Sequence, residues 1–456
     1  MSYLMQIIRE IDPSWQAMIE EIEKATTLSL ILRAAWHLAY TLVVDLVESE
    51  LTKRARQKTV WENCPHCGRR LQSKGFEPRQ ITSLLGIIRW RRRVGRCPQR
   101  CRIGQIAPLD KELGLAPNQK TDGRLKQMAC LLSVFVPFAT ATELLQQLTG
   151  AQVSSGSIWQ WVQQAGERMA DWLDQELQAL AKGQLPEMEE MTEEMLRQTL
   201  VIGADGVMVP FRPQKGSRKG KTVWREVKVG ILARLKQHRN RAGELIFRLE
   251  QRRLVALLGD INAFSRRLWL EALRQGISSS PQVVWLSDGA RGFWGLFDRR
   301  FALYAYGVLD FYHASQNLWR GVKVWLDGRT RQARAWFDDA RHRLRHGDEN
   351  AVLEDIAAAL NLPDLPESAR VSLTKLYNYL DKHREHIHYE QLKAMGLPIG
   401  SGLVESACKW LIQQRFKGVG MRWSEEGFNH LLHLRLAWVN GRFDALFEAE
   451  LTSPKS

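Results

Sequence analysis

The sequence predicts an α/β protein: a mixed β-sheet with helices on its faces and a long helical insertion, preceded by a helical N-terminal region and a small cysteine-bearing ribbon. Three observations predict it. From residue 199 onward the apolar runs Leu200 to Ala204, Val207 to Arg212 and Trp224 to Leu235 read as consecutive strands, and after them helix and strand alternate. Consecutive strands followed by alternation imply a sheet with both antiparallel and parallel neighbours. Two of the strands close on Asp-Gly, at Asp205-Gly206 and at Asp288-Gly289, and two close cysteine pairs, Cys64/Cys67 and Cys97/Cys101, precede the sheet.

The chain of 456 residues is too long for one ordinary core. Hydrophobic content of 45% and charged content of 25% are those of a water-soluble globular protein. An excess of 65 Lys and Arg over 50 Asp and Glu, a net +15, favours a polyanionic partner, of which nucleic acid is the commonest. Met1 to Asp12 shows no basic segment followed by an apolar one, so no secretory signal is expected. The most apolar run noted, Val134 to Ala139, is short and broken by Pro137, so no membrane span is expected either. Six cysteines, four of them in close pairs, point to a metal site in a reducing compartment, and a cytoplasmic location is expected.

In chain order, Asp12-Pro13 reads as a cap and first turn, with Trp15, Met18, Ile19 and Ile22 at helical spacing. Leu28 to Arg56 continues as helix, apolar in the middle and basic at the end, which completes an N-terminal helical region over 1–58. Within 59–112, Cys64-Pro65-His66-Cys67-Gly68 and Cys97-Pro98-Gln99-Arg100-Cys101 flank strand-like residues Ile81 to Val94 with a turn near Gly86. Two such knuckles around a hairpin make a zinc ribbon. Four thiolates, Cys64, Cys67, Cys97 and Cys101, would close a structural Zn²⁺ site. Arg89, Arg91, Arg92, Arg93 and Arg96 crowd the hairpin, either as a solvated face or to meet phosphate. Residues 113–182 look helical. Phe138 to Leu148, the break Thr149-Gly150 and Ser154 to Ser157 before Ile158, Trp161 and Val162 have helix-turn-helix grammar, which plain helical packing also explains.

Residues 183–198, with Glu187, Glu189, Glu190, Glu193 and Glu194, read as a solvated acidic linker. The sheet then occupies 199–313. Its three strands are joined in part by a basic turn over Gly216 to Lys221. Helix Asn262 to Arg274, strand Gln282 to Leu286, helix Gly292 to Phe301 and strand Leu303 to Leu309 follow. Asp205 and Asp288 would end the first and fourth strands. A lone Asp-Gly is ordinary turn chemistry, but its repetition favours a metal site. An all-helical insertion fills 314–395, and 396–456 returns to the core. There Glu405 stands in the first turn of a helix running to about Phe416, a place the helix dipole favours for any acid. Glu405, Cys408, Lys409 and Ile412 share a face, and the segment from Gln413 to Trp423 is basic and broken by glycine.

Asp205-Gly206 after a strand, Trp285-Leu286-Ser287-Asp288-Gly289-Ala290-Arg291-Gly292-Phe293-Trp294, Leu309-Asp310-Phe311-Tyr312-His313, Gly400-Ser401-Gly402-Leu403-Val404-Glu405 and Gly420-Met421-Arg422-Trp423 together resemble the bacterial insertion-sequence transposases of the Kra type, which are similar to the wider Mutator-like group. The resemblance spans nearly the whole chain, and the wider second cysteine knuckle is its one departure. It implies a ribonuclease-H-like catalytic core with a DDE triad, carried here by Asp205, Asp288 and Glu405. It also places Asp310 and His313 in a D-x2-H signature whose His acts close to the DNA. Asp310 also ends a strand. Asp288 is preferred as the second acid because its strand continues the sheet order.

Three carboxylates of this kind suit two Mg²⁺ (or Mn²⁺) ions about 3.5–4 Å apart, one activating water or a 3′-hydroxyl and the other stabilising the leaving oxygen. The expected function is cleavage of transposon ends and strand transfer into target DNA by a homo-oligomer assembled on that DNA. Arg291, Lys409, Arg415, Lys417 and Arg422 are expected at phosphates and Trp423 on an unpaired base, although helix-end cations explain the same residues. Two alternatives stand beside this expectation: a non-catalytic zinc-ribbon DNA-binding protein, and a metal-dependent nuclease that never joins strands. The first leaves carboxylates gathered against a polyanion without a reason.

Overall fold

A computed structural model describes residues 13–213, 222–239 and 245–452. Asp12 and the expected basic turn Gly216 to Lys221 lie outside the described residues. The chain forms two compact units, residues 1–162 with 444–456, and residues 163–443.

In the first unit, helices Pro13–Lys24 and Leu28–Arg56 come first. Thr27 starts the longer one by accepting a hydrogen bond from Leu30 N, and Lys53, Arg54 and Arg56 favour the negative end of its dipole. Among the described residues this is the one helix long and apolar enough to cross a bilayer, so the sequence's most apolar element is this helix and not the run at Val134. A β-hairpin follows, β1 (Gln72–Ser83) antiparallel to β2 (Gly86–Arg96). Strand alternation sends Ile81, Ile88 and Trp90 into a small core with Ala55 and Leu109. Arg92 shares that inner face. It is buried, pairs with Asp110 at 3.2 Å, and donates to the Glu77 and Pro78 carbonyls. Its expected place among the phosphate-facing arginines is thereby corrected: every direction its guanidinium points already has an acceptor. Helices Gly123–Phe135 and Phe138–Thr149 follow. Gly150 turns the chain in the left-handed region at φ 71°, and the Ser154 hydroxyl caps Ser157 N at 3.1 Å.

The second unit is built on a five-stranded sheet of order β5-β4-β3-β6-β7. Strands β3 (Thr199–Phe211), β4 (Val223–Arg239) and β5 (Leu245–Leu257) are antiparallel, and β6 (Val283–Ser287) and β7 (Tyr306–Leu309) run parallel to β3. The mixed α/β architecture is as expected, with two corrections. The first two expected strands are one continuous strand, so Asp205 lies within β3, opposite Val229, and not at a strand end. The third antiparallel strand is β5, which the apolar pattern does not reveal. Its Arg248, Glu250, Arg252 and Arg253 hide any alternation, as edge strands commonly do.

Helix Ile261–Arg274 covers one face: a Cβ on Gly230 of β4 would come within 2.8 Å of the Leu268 side chain. The opposite face takes a returning C-terminal helix. Trp285 of β6 is buried and stacks on Phe301 at 5.1 Å, after helix Arg291–Arg300. The helical insertion begins three residues earlier than expected, at Phe311, and comprises Phe311–Trp325, Arg331–Arg345, Glu349–Leu360, Glu367–Lys382 and Tyr389–Ala394. Leu318, Leu344, Ile356 and Leu376 join the same continuous core as the sheet, so the insertion is no separate lobe. The acidic linker is not fully solvated either. Glu189 turns inward to Arg253 at 2.6 Å and Arg442 at 2.8 Å, because both guanidiniums need a buried counter-charge.

Candidate functional site

Parallel neighbours β3 and β6 position Asp205, within β3, and Asp288, the residue after β6. Along β3, odd-numbered residues from Val201 to Phe211 share one side, so Gly203 and Asp205 face the same way. Asp205 accepts one hydrogen bond, from its own neighbour Gly206 N at 2.6 Å. Burial raises its carboxyl above the ordinary range, and the charges of Asp288 and Glu226 push it the same way; His313 works against them. Asp288 follows β6 directly and accepts from Ala290 N at 3.0 Å, its one side-chain hydrogen bond among the described residues. Its carbonyl is fixed by Trp294 Nε1 at 2.6 Å.

Neither Asp-Gly glycine has a positive φ, and the expected turn chemistry holds at Asp288, which accepts from Ala290 N two residues on. Both are close-approach glycines. A Cβ on Gly206 would meet Glu226 Oε1 at 2.4 Å, and one on Gly289 would meet the Tyr379 ring at 2.0 Å. Tyr379, from the helical insertion, was not legible as a site neighbour. Burial raises its hydroxyl's pKa, as do the charges of Asp288 and Asp310.

Asp310 is placed differently. It ends β7, is buried, and caps the following helix by accepting from His313 N at 2.6 Å. Its other oxygen accepts from Ser401 N. Burial opposes the carboxylate, but the bonds from His313 and Ser401 outweigh it and bring Asp310 to about 2. His313 Nδ1 stands 3.2 Å from Asp310, which raises the imidazole above its ordinary value, with smaller help from Asp288 and Asp205. Asp310 is thus a saturated anchor that ties the 399–401 segment and His313 to the sheet, whereas Asp205 and Asp288 keep open lone pairs.

Glu405 arrives on the returning helix, Gly402–Ala407, continued by a π-helical turn Cys408–Gln413 and by Gln414–Phe416. This helix packs on β3 and β4. Gly203 permits it: a Cβ there would lie 2.1 Å from Val404, the residue before Glu405. Cys408 reports the neighbourhood, since burial and then the charges of Asp205 and Glu405 push its thiol up to about 12. The Glu405 carboxylate itself is exposed and paired with Lys409 at 2.8 Å. The structure therefore brings Asp205, Asp288, Asp310 and His313 into mutual electrostatic range and sets the Glu405 helix beside Asp205. It does not draw three acids within 4.8 Å of one another; among the described residues only the four cysteines meet so closely.

Of the expected DNA contacts, Arg291, Lys417 and Arg422 are exposed, and Lys409 holds Glu405. Arg415 is corrected: it is buried, stacked over Trp423 at 5.4 Å, and burial lowers it to about 10. Trp423 is corrected as a free stacking platform. Its indole donates to Phe416 O at 2.9 Å, its ring packs on Phe416, and its backbone bridges Phe211 at the end of β3.

The sulfurs of Cys64, Cys67, Cys97 and Cys101 all lie within 4.8 Å of one another, at the open end of the hairpin where β1 begins and β2 finishes, and form a cluster able to hold zinc. Gly68 at φ 72° closes the first knuckle, with its N–H on Cys64 O at 2.9 Å. In the wider second knuckle Arg100 takes the left-handed position at φ 55°, its N–H on Cys97 O at 3.0 Å. The extra residue is absorbed there. Burial opposes a Cys97 thiolate, but the backbone donors of Cys101 and Gln99 prevail and bring it to about 6.

The molecule is thus a mixed α/β protein with a carboxylate and histidine cluster at neighbouring strands and a four-cysteine cluster on a hairpin. No family model matches the chain. It is similar to "UPF0236 protein in vanSb 3'region" of Streptococcus gallolyticus, 26% identical over 390 residues, which cover 82% of this chain and 75% of that protein. Among solved structures, a chain of the "Drosophila P element transposase strand transfer complex" aligns with 71% of this chain and 93% of its own length, at 11% identity and a TM-score of 0.34.

Proposed function

We propose that the chain is a DDE-type DNA transposase of the insertion-sequence class, with a ribonuclease-H-like core, that cuts transposon ends and joins them to target DNA. The observation that carries the reading is the pair Asp205, within β3, and Asp288, directly after the adjacent parallel strand β6, each with one protein hydrogen bond among the described residues, the charge of Asp288 raising the proton affinity of Asp205, with the Glu405 helix laid over Gly203 beside them. Three antiparallel strands followed by two parallel ones support the core assignment. Two close carboxylates with one hydrogen bond each are destabilising unless a cation meets them, so the donor set fits Mg²⁺ or Mn²⁺. Asp205, Asp288 and Glu405 would hold it, and when bound it supplies an activated oxygen nucleophile and charge neutralisation at the phosphate.

The remaining roles belong to the chain itself. His313, whose proton affinity Asp310 raises, stands beside the acids and in its protonated form is suited to a phosphate oxygen or to returning a proton to the leaving 3′ oxygen. Lys417, Arg422 and Arg291 offer exposed cations to the strand. Tyr379 and Trp294 fix the Asp288 loop and limit its solvation. The test is single Asp205→Ala, Asp288→Ala and Glu405→Ala variants in an Mg²⁺-dependent assay of cleavage and strand transfer on end-containing DNA. Each should lose nearly all of both activities. Full activity in any of them removes that residue from the site, and cleavage without joining in the parent chain selects the nuclease alternative.

A further inference from the structure

The ribbon hairpin carries a feature remote in sequence from the carboxylate site. Strand pairing sets Gln80 opposite Arg89, Pro78 opposite Arg91 and Phe76 opposite Arg93. Alternation then puts all six on the outer side of the hairpin, while Trp90 and Arg92 point inward. The C-terminal end of helix Leu28–Arg56, whose Ala55 packs with Trp90 on the inner side, borders the hairpin, and the two together form a groove of about 760 Å³ lined by Thr52, Arg56, Phe76, Gln80, Arg89 and Arg91 and, from the inner side, by Arg79 and Trp90. Among the described residues none of Arg56, Arg89, Arg91 and Arg93 makes an ion pair. Arg93 lies over the Phe76 ring at 5.2 Å, and Arg91 donates to the Phe76 carbonyl at 3.0 Å, so both are held in place. Glu48 accepts the Arg89 backbone N–H at 2.7 Å and not its guanidinium, and Asp110 pairs with the groove-lining Arg79 at 3.7 Å.

We propose that this groove is a second, sequence-independent nucleic-acid site that seats the phosphodiester backbone of duplex DNA, resting on the reading that the chain acts on DNA. Three groove-lining guanidiniums without an ion pair, Arg56, Arg89 and Arg91, with Arg93 beside them on the same strand, make a like-charged surface that a polyanion can bridge. A two-stranded ribbon with polar and basic side chains on one face is also a shape that duplex grooves admit. The closed cysteine cluster then has a role of its own, stiffening a hairpin whose outer face is the working surface.

The experiment uses the full, zinc-loaded chain and a short duplex of arbitrary sequence, with no magnesium added, and follows anisotropy across a salt series. Each lost phosphate contact lowers the slope of log affinity against log salt by about 0.9, so Arg89→Ala/Arg91→Ala should lower it by about 1.8, or roughly 60-fold in affinity over a decade of salt. Arg89→Lys/Arg91→Lys should restore most of the slope. Arg331→Ala/Arg334→Ala, an equal charge change on the helical insertion, should leave it near the parent value. Asp205→Asn should keep the full slope even if catalysis fails, so the groove and the carboxylate site are judged separately. An unchanged slope in the Ala pair, an equal fall in the insertion control, or a loss seen only with duplex RNA would overturn the proposal.

Discussion

On the proposed reading, Asp310→Asn separates the two acids that compete for the second catalytic position. In the folded chain Asp310 sits at about 2 against an ordinary 3.8, because His313 and Ser401 bond its charged form more strongly than burial opposes it. A gap of nearly two units is worth roughly 2 kcal/mol of folding stability, at about 1.4 kcal/mol per unit. Its sign follows from the depressed pKa. The stabilisation is fully present above 3.8 and is lost as pH falls through about 2. Asparagine keeps the shape and loses the charge, so the variant should unfold at lower urea at pH 7, with the difference narrowing below pH 4. Asp288→Asn should differ, since Asp288 holds one backbone hydrogen bond and faces a like charge at Asp205. Its removal should cost no more than about 0.5 kcal/mol, a typical loss where no buried partner is stranded, while activity disappears. The assay is urea unfolding followed by fluorescence of the buried tryptophans, run beside cleavage. If Asp310→Asn matches the parent stability at pH 7, or Asp288→Asn is destabilised as much, the division into anchor and ligand is wrong.

Two further outcomes follow from the geometry. Replacing Cys64 with Ser, or stripping zinc with a chelator, should abolish the cooperative melting of the first unit; Co²⁺ substitution should give the thiolate charge-transfer band of a tetrahedral four-sulfur site, and its absence would exclude the cluster as a metal centre. Gly203→Ala puts a methyl 2.1 Å from Val404, an overpacking of about 1–3 kcal/mol. Val404→Ala should relieve it and restore activity in the double variant, and failure of that rescue would show that Gly203 serves something other than the Glu405 helix.

The mixed sheet in outline and the cysteine pairs were legible because each is written in local spacing. What local spacing read only in part was the Asp-Gly pair. Turn chemistry holds at Asp288, which accepts from Ala290 N, but the close approach of Glu226 to Gly206 and of Tyr379 to Gly289 was hidden, because those partners come from another strand and from the insertion. Arg92 and Arg415 failed in the same way. An arginine reads as surface until a distant acceptor or ring is known, here Asp110 for one and Trp423 for the other. Strand β5 escaped because charges on an edge strand erase the apolar alternation that a strand needs to be seen.

Glu405 poses the last question, since its carboxylate faces Lys409 and not Asp205. The energies decide which contact holds. Both partners are more than half exposed, and an exposed i,i+4 pair is worth only about 0.3–0.5 kcal/mol. A hard divalent cation between two underbonded, partly buried carboxylates repays far more than that for a third oxygen. The π-helical turn at Cys408–Gln413 begins three residues after Glu405, and such turns loosen the regular ladder where a helix must adjust. On the proposed reading, a cation held by Asp205 and Asp288 would outcompete this weak ion pair, and Lys409, released when Glu405 turns, would be a cation available to a phosphate. Lys409→Gln should accordingly leave cleavage active and lower the Mg²⁺ concentration needed for half-maximal rate, whereas a higher requirement would mean that Lys409 holds Glu405 in its working position.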